Sequence, residues 1–146
     1  MSKKILVTPR SLTKNGHPAL DRFTEDGFEV IFSTPGVQPT EEQLLKLLPD
    51  CAGYLAGVEK ISSRVLESAR NLKAISRNGT GIDNIDLEAA EKFKIKILTT
   101  PGTNARGVAE LTLSHILSAV RSIPFSDSNL KKRNWQRGPL TLGGTG

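Results

Sequence analysis

The sequence is poor in cysteine, histidine and aromatic residues, and it has no long apolar run. Cys51 is the only cysteine among 146 residues, which excludes an internal disulfide framework and a thiolate metal centre. His17 and His115 are too isolated in the sequence to predict a metal site. With a single cysteine, we expect a reduced, cytoplasmic compartment. No apolar segment is long enough for a signal peptide or a membrane span, so we expect no membrane partner.

The chain also lacks a concentrated patch of one charge. Its net charge is +5, but the lysines and arginines are spread along the sequence. The one local basic run, 131–133, is not interleaved with the aromatic residues that a stacking surface for nucleic acid requires. We therefore predict a solvated basic face and no nucleic-acid partner.

What the chain does contain is a regular alternation of strand-like and helix-like segments. Runs of apolar and β-branched residues predict five strands, at 4–8, 28–32, 53–57, 72–76 and 95–98. Helix starts are predicted at Pro18, at the capping box Thr40-Glu41-Glu42-Gln43, at Ser62 or Ser63, and at Asp86. Between strand 1 and Pro18 we expect a loop, because this segment is rich in Ser, Thr, Asn and Gly.

This alternation predicts an α/β fold with right-handed parallel crossovers. The most plausible form is a three-layer flavodoxin-like doubly wound parallel sheet of order 2-1-3-4-5, with an appended C-terminal helix. The ligand edge of such a sheet gathers the loops that follow Thr8, Gly57 and Ser76.

The pattern changes after strand 5. A linker at 99–103 resembles a hinge, Asn104 is a candidate helix cap, and a long helix is predicted over 106–122. Its apolar residues cover more than one narrow stripe, so it needs burial on two sides, against another domain or a second chain. We divide the chain into a flavodoxin-like substrate domain at 1–100 and a hinge, helix and tail at 101–146. Beyond Pro124 the chain is polar and basic, and the glycine-rich stretch 138–146 contains no further element.

A glycine-rich turn directly after strand 4 is the first candidate binding site. Glycines on both sides of Thr80, at Gly79 and Gly81, allow positive φ or a close backbone approach, so that several N–H groups can point toward a small anion. Arg77 is close enough to this turn in the sequence to add a positive charge to the site. The alternative is a tight strand-to-helix turn with no ligand. A dinucleotide fingerprint is excluded, because Asn84 stands where the third glycine would be needed.

Four ordered motifs give the chain a family resemblance. It resembles the N-terminal part of the D-isomer-specific 2-hydroxyacid dehydrogenases, and within them the D-3-phosphoglycerate dehydrogenase-like members. The similarity extends over residues 4 to 140. The motifs that carry it are Arg77-Asn78-Gly79-Thr80-Gly81-Ile82-Asp83-Asn84-Ile85-Asp86, Thr100-Pro101-Gly102-Thr103-Asn104, Val108-Ala109-Glu110-Leu111 and Asn134-Trp135.

The resemblance implies a substrate domain that leads through a hinge toward a Rossmann domain for NAD. It implies that the amides of Thr80 and Gly81 bind the carboxylate of a small 2-oxo or 2-hydroxy acid, with Gly79 and Arg77 beside them. Asn104 at the hinge would lie near nicotinamide and substrate. The helix at 106–122 would belong to the cofactor domain and form a homodimer.

Two departures from the family limit these expectations. Gly57 stands where phosphoglycerate dehydrogenases often carry an arginine for the substrate phosphate, and Lys60 is the nearest substitute. The family's catalytic arginine, glutamate and histidine follow the glycine-rich NAD loop, which this chain does not reach. We therefore expect no catalytic residue in these 146 residues and no hydride transfer by them alone.

Two other classes of protein remain as alternatives. One is a self-standing flavodoxin-like module that binds a carboxylate or dimerises without enzymatic activity. The other is a flavodoxin or a phospho-receiver, which fits less well: a receiver needs acidic residues where Thr8 and Gly57 stand, and the loop after strand 1 lacks a flavin-phosphate pattern. Arg10, after strand 1, faces the ligand edge without belonging to a recognisable motif.

Overall fold

Five parallel strands form the sheet of the computed structural model, which describes residues 3–135. The order β2-β1-β3-β4-β5 confirms the predicted topology. Each strand is within a few residues of its predicted position, and the strands run at β1 Lys4–Val7, β2 Glu29–Phe32, β3 Cys51–Ala56, β4 Ala74–Arg77 and β5 Lys96–Leu98.

Side chains alternate across the sheet and feed two apolar cores. Leu6 of β1 points into the larger core with Leu44 and Ile75, and all three are fully buried. Its neighbours Ile5 and Val7 point to the other face, where a smaller cluster packs around them. Because the sheet is covered on both faces, its central strands are predominantly apolar.

Helices cover both faces of the sheet, and several begin where the capping residues predict. Thr40 and Gln43 form the predicted capping box, with Gln43 N donating to Thr40 Oγ1 at 3.3 Å and Thr40 N to Gln43 Oε1 at 2.9 Å. Ser62 and Asp86 cap the next two helices through their side-chain oxygens. The helices of this unit are α1 Arg10–Asn15, α2 Asp21–Glu25, α3 Glu41–Leu47, α4 Ser63–Ser68 and α5 Leu87–Lys92.

Helix α1 occupies the segment that was predicted to be a loop. The Pro9 carbonyl accepts hydrogen bonds from the N–H groups of Leu12 and Thr13, both at 2.9 Å, and this closes the first turn. Leu12 packs against the smaller core cluster. Packing of this half-buried leucine favours the helix despite the weak helix propensity of its polar neighbours.

The predicted helix from Pro18 is also subdivided. It opens as a 3₁₀ turn, Pro18–Leu20, whose first N–H groups are satisfied in part by Ala19 N donating to His17 Nδ1 at 3.1 Å. His17 therefore acts as a helix cap, and α2 follows directly.

The chain divides into two compact units, the first ending at Thr103 and the second beginning at Asn104. The second unit contains two helices, α6 Ala105–Val120 and α7 Ile123–Lys131, where one was predicted. Ser122 adopts a left-handed conformation with φ of 48° and separates them, and Pro124 then lies in the first turn of α7.

Asn104 precedes α6, but its side chain makes no capping hydrogen bond. The predicted glycine-rich end at 138–146 lies outside the described residues.

The apolar residues of α6 are exposed, which agrees with a helix that needs further partners. None of its residues is buried. Between 38% and 61% of the surface of each large apolar residue is accessible, and these residues are Val108, Leu111, Leu113, Ile116, Leu117 and Val120. No helix among residues 3–135 combines the length and the hydropathy that crossing a membrane would require.

Candidate functional site

A cavity of about 340 Å³ lies at the carboxyl ends of β1, β3 and β4. Open α/β sheets bind ligands at this edge. Each of the three strands contributes a polar or charged residue at or just after its end: Arg10 follows β1, Glu59 follows β3 and Arg77 ends β4. The loop after β2 adds Gln38 to the lining.

The carboxylate of Glu59 is buried beneath this cavity and joins two strands. Only 2% of the residue is exposed. Its Oε1 accepts hydrogen bonds from Tyr54 Oη at 2.6 Å, from Gly57 N at 2.8 Å and from the Thr8 hydroxyl. A buried carboxylate needs such donors, because leaving it unpaired costs several kcal/mol. The three donors therefore hold the ends of β1 and β3 together.

Tyr54 is held in its neutral form by this arrangement. Burial raises the pKa of its phenol well above the ordinary value, and the neighbouring charge of Glu59 raises it further. A neutral phenol keeps its proton available for the hydrogen bond to the carboxylate. Tyr54 thus serves as a donor in the folded chain.

Gly57 is required by the close approach of the Glu59 side chain. A Cβ added to Gly57 would lie 2.7 Å from Glu59 Oε2 and 3.3 Å from the Cα of Pro9. Both distances are shorter than ordinary van der Waals contacts, so a side chain at this position would displace the loop or the carboxylate. An arginine at this position would therefore require the loop or the Glu59 carboxylate to move.

Arg77 is buried, with 8% of its surface exposed, and is fixed by two hydrogen bonds. Its Nε donates to Asn84 Oδ1 at 3.3 Å and its Nη1 to the Asn78 carbonyl at 3.1 Å. The side chain of Asn84 in turn donates to the Glu59 carbonyl at 2.7 Å. The predicted site cation is thus linked to the loop that contains the buried carboxylate.

The glycine-rich turn follows Arg77 and leaves backbone donors available. Gly79 has φ of 150°, whereas Gly81 does not use positive φ, so only one of the two glycines needs the predicted freedom. The N–H groups of Thr80 and Gly81 make no hydrogen bond to any residue within 3–135, and both residues are exposed. A Cβ on Gly81 would approach Asp83 Oδ1 to 3.0 Å, which places an acidic oxygen near this turn.

The predicted site residues fall into three groups in the structure. Gly79 lies against Arg77, since a Cβ on Gly79 would be 3.4 Å from Arg77 Nη1. Lys60 instead lines a neighbouring cavity of about 660 Å³ that also contains Asp83 and Asp86. Asn104 belongs to the second unit. The roles of all these residues in binding stay predictions.

The sequence did not indicate the buried network of Thr8, Tyr54 and Glu59. One signal was available in Tyr54, because a phenol inside a strand predicted to be buried on both faces needs a hydrogen-bond partner. No group of three or more potential metal ligands was found among residues 3–135.

Comparison with known proteins assigns the chain to a family. A family model described as "D-isomer specific 2-hydroxyacid dehydrogenase, catalytic domain" matches residues 6–139. The chain belongs to this family. The match confirms the resemblance that its four motifs carry.

Individual relatives share the family but are much longer. D-3-phosphoglycerate dehydrogenase of Sus scrofa is 38% identical over 99 residues, which are 67% of this chain and 19% of that enzyme. The hydroxypyruvate reductase of Thermotoga maritima is 35% identical over 101 residues, 68% of this chain and 33% of the reductase. The structure of NAD+-bound 3-phosphoglycerate dehydrogenase from Entamoeba histolytica matches with a TM-score of 0.69 at 28% identity, over 83% of this chain and 40% of that one. The chain thus spans a third or less of these two curated relatives.

The buried phenol of Tyr54 makes the first unit sensitive to alkaline pH. Because its pKa is raised in the folded chain, folding retains a proton that the unfolded chain releases above a pH of about 10. We expect the free energy of unfolding to fall above that pH, by about 1.4 kcal/mol per pH unit until the folded pKa is passed. Tyr54 is the only tyrosine, so phenolate absorbance reports its titration directly.

The control is the same titration in urea, where phenolate should form at a pH of about 10. In the native chain it should form only as circular dichroism is lost. Phenolate that forms at the ordinary pKa with circular dichroism unchanged would show that Tyr54 is not held neutral.

Proposed function

We propose that the first unit binds a small 2-oxo or 2-hydroxy acid and is the substrate-binding portion of an oxidoreductase that acts on the CH–OH group of a D-2-hydroxy acid. The observation that carries this proposal is the turn after β4. There the N–H groups of Thr80 and Gly81, which have no partner among residues 3–135, follow the buried cation of Arg77 within four residues. Backbone donors and a fixed guanidinium are suited to a carboxylate.

Binding of the carboxylate would orient the reacting carbon. A 2-oxo acid held by its carboxylate presents its carbonyl in one direction, and alignment of this kind supplies a large share of a rate enhancement. In the proposed reaction the intact protein would use NAD as the hydride carrier. The residues of this chain position the substrate and supply positive charge. The turn holds the carboxylate, and the hydrogen bonds around Glu59 hold the loops next to the turn in place.

The described residues do not fit a dinucleotide pyrophosphate. The turn at Gly79 is followed by Asn84 where a fingerprint needs glycine, and the Asp83 carboxylate lies close to Gly81. We therefore place the NAD-binding loop outside residues 3–135, with Asn104 at the hinge toward it. The 146 residues would bind substrate without transferring hydride alone, since the family's catalytic side chains follow that loop.

The second unit is proposed to form a homodimer through α6. Its apolar residues are exposed, and Leu113 is 60% accessible. We expect Leu113→Lys to weaken self-association at least tenfold, because burying one leucine contributes roughly 1.5–3 kcal/mol. Sedimentation equilibrium of this chain measures the effect. The neighbouring exposed change Ser114→Lys is the matched control, and equal association of the two variants would contradict the assignment of this face.

The carboxylate site predicts a specific response to ligand. Titration with pyruvate should shift the backbone amide resonances of Thr80 and Gly81 saturably. Gly79→Ala should weaken this binding about tenfold, because φ of 150° costs other residues about 1–3 kcal/mol and the turn must relax. Gly16→Ala is the control, since Gly16 also has positive φ, at 66°, but follows α1. Equal affinity of the two variants would argue against the turn as the site.

Adding a cofactor domain distinguishes the oxidoreductase proposal from the alternative of a binding module. The NAD-binding domain of the Thermotoga hydroxypyruvate reductase would be added in trans to this chain, and oxidation of NADH by hydroxypyruvate would be followed. The oxidoreductase proposal predicts turnover that needs both parts and falls with Gly79→Ala. Two folded parts that associate without turnover would instead favour a self-standing carboxylate-binding module.

A further inference from the structure

The side chain of Asn84 joins the proposed site cation to the neighbouring loop. Its Oδ1 accepts a hydrogen bond from Arg77 Nε at 3.3 Å, and its Nδ2 donates to the Glu59 carbonyl at 2.7 Å. Because Nε can only donate and a carbonyl can only accept, these two partners fix the orientation of the amide. A carboxylate, an ammonium or a guanidinium would satisfy only one of them. The amide at position 84 therefore matches both partners at once.

The backbone around Asn84 is held by the loop between β3 and α4. Ile61 N donates to the Asn84 carbonyl at 2.8 Å, and Asp86 N donates to the Ile61 carbonyl at 3.0 Å. Ile61 and Ile85 pair as an isolated parallel bridge, and both side chains are buried. The Oδ1 of Asn84 is therefore presented to Arg77 from a fixed segment of backbone.

The other end of the glycine-rich turn is held by backbone hydrogen bonds. Asn78 N donates to a carbonyl of β3 at 2.9 Å, and Thr100 N donates to the Gly79 carbonyl at 3.1 Å. The N–H groups that are proposed to bind the carboxylate lie between this end and Asn84. The hydrogen bond from Arg77 to Asn84 spans them, since its partners are 7 positions apart, and it therefore closes the turn.

The hydrogen bond to Asn84 is the one that fixes Arg77 across the turn. Nη1 of Arg77 donates to the Asn78 carbonyl at 3.1 Å, but Asn78 is the next residue in the chain, so this bond does not reach the far side of the turn. A guanidinium with only the local bond has more conformational freedom to lose when it binds a ligand. A donor that is fixed before the ligand arrives avoids this entropic cost.

We propose that Asn84 is a positioning residue of the carboxylate site: it fixes the Arg77 guanidinium and closes the turn that contains the N–H groups of Thr80 and Gly81. Asn84 lines the neighbouring cavity of about 660 Å³ and not the cavity that Arg77 lines, so it acts on the ligand through Arg77. This inference rests on the proposed function, because it concerns the same carboxylate site.

Asn84→Ala tests this role by removing both side-chain hydrogen bonds. Titration of the whole chain with pyruvate, followed by the backbone amide shifts of the turn, should show binding at least about fivefold weaker than in the unaltered chain, since hydrogen bonds to charged groups contribute strongly. Asn71→Ala is the matched control. Asn71 Nδ2 also donates to a backbone carbonyl, that of Pro49 at 3.0 Å, but Asn71 lies before β4, at the opposite edge of the sheet. This variant should retain the affinity of the unaltered chain.

Two further measurements separate the positioning of Arg77 from a general structural role. Without ligand, the Nε–H resonance of Arg77 should be protected from exchange with water in the unaltered chain and in Asn71→Ala, and should lose that protection in Asn84→Ala. In the background of Arg77→Met, which removes the guanidinium, Asn84→Ala should weaken binding by less than about twofold, because residues that act as a unit are not additive. Where circular dichroism shows that Asn84→Ala does not fold, Asn84→Ser replaces it, since one short hydroxyl cannot bridge both partners.

Equal pyruvate affinity of Asn84→Ala and Asn71→Ala, with saturable shifts in both, would overturn the positioning role and leave the proposed function standing. An Nε–H resonance that stays protected in Asn84→Ala would do the same. An equal loss of affinity with and without the Arg77 guanidinium would show that Asn84 does not act through Arg77. An unaltered chain whose turn shows no saturable shift would overturn the proposed function and this inference together.

Discussion

The hydrogen bonding of one buried carboxylate organises the edge of the sheet on which the candidate site is built. Glu59 is surrounded by protein, and its Oε1 receives donors from Thr8 after β1, from Tyr54 within β3 and from the backbone of Gly57. Burial of an ionisable side chain is costly unless such partners are present. The partners come from positions up to 51 residues away along the chain, so the pairing of this carboxylate depends on the complete sheet.

The same carboxylate determines which residues can face a ligand. Its second oxygen fills the space beside Gly57, so a side chain at that position would require Glu59 or Pro9 to move. The positive charge in the lining comes from the neighbouring strands, from Arg10 after β1 and Arg77 at the end of β4. Through Asn84 the loop of Glu59 is also tied to Arg77, so the buried acid and the site cation are held in one hydrogen-bonded assembly.

The sequence predicts local features better than it predicts this assembly. Strand order, the capping box at Thr40 and the cap at Asp86 follow from periodicity and from side-chain chemistry within a few residues, and the structure contains all of them. Helix α1 was missed because the burial of Leu12 against a distant cluster outweighs local propensity. Glu59 gave no signal, since a glutamate in a polar loop is usually solvated and only the folded sheet brings it to Tyr54.

The two units differ in how much of their own apolar surface they bury. The first unit buries the side chains of β1, β3 and β4 within its own cores, so its binding edge can be preorganised. The second unit leaves Leu111 and Leu117 of α6 more than half exposed. In proteins most of the stability of a helix comes from the packing of its apolar face. The first unit thus covers its own apolar core, whereas the apolar face of α6 requires another surface to cover it.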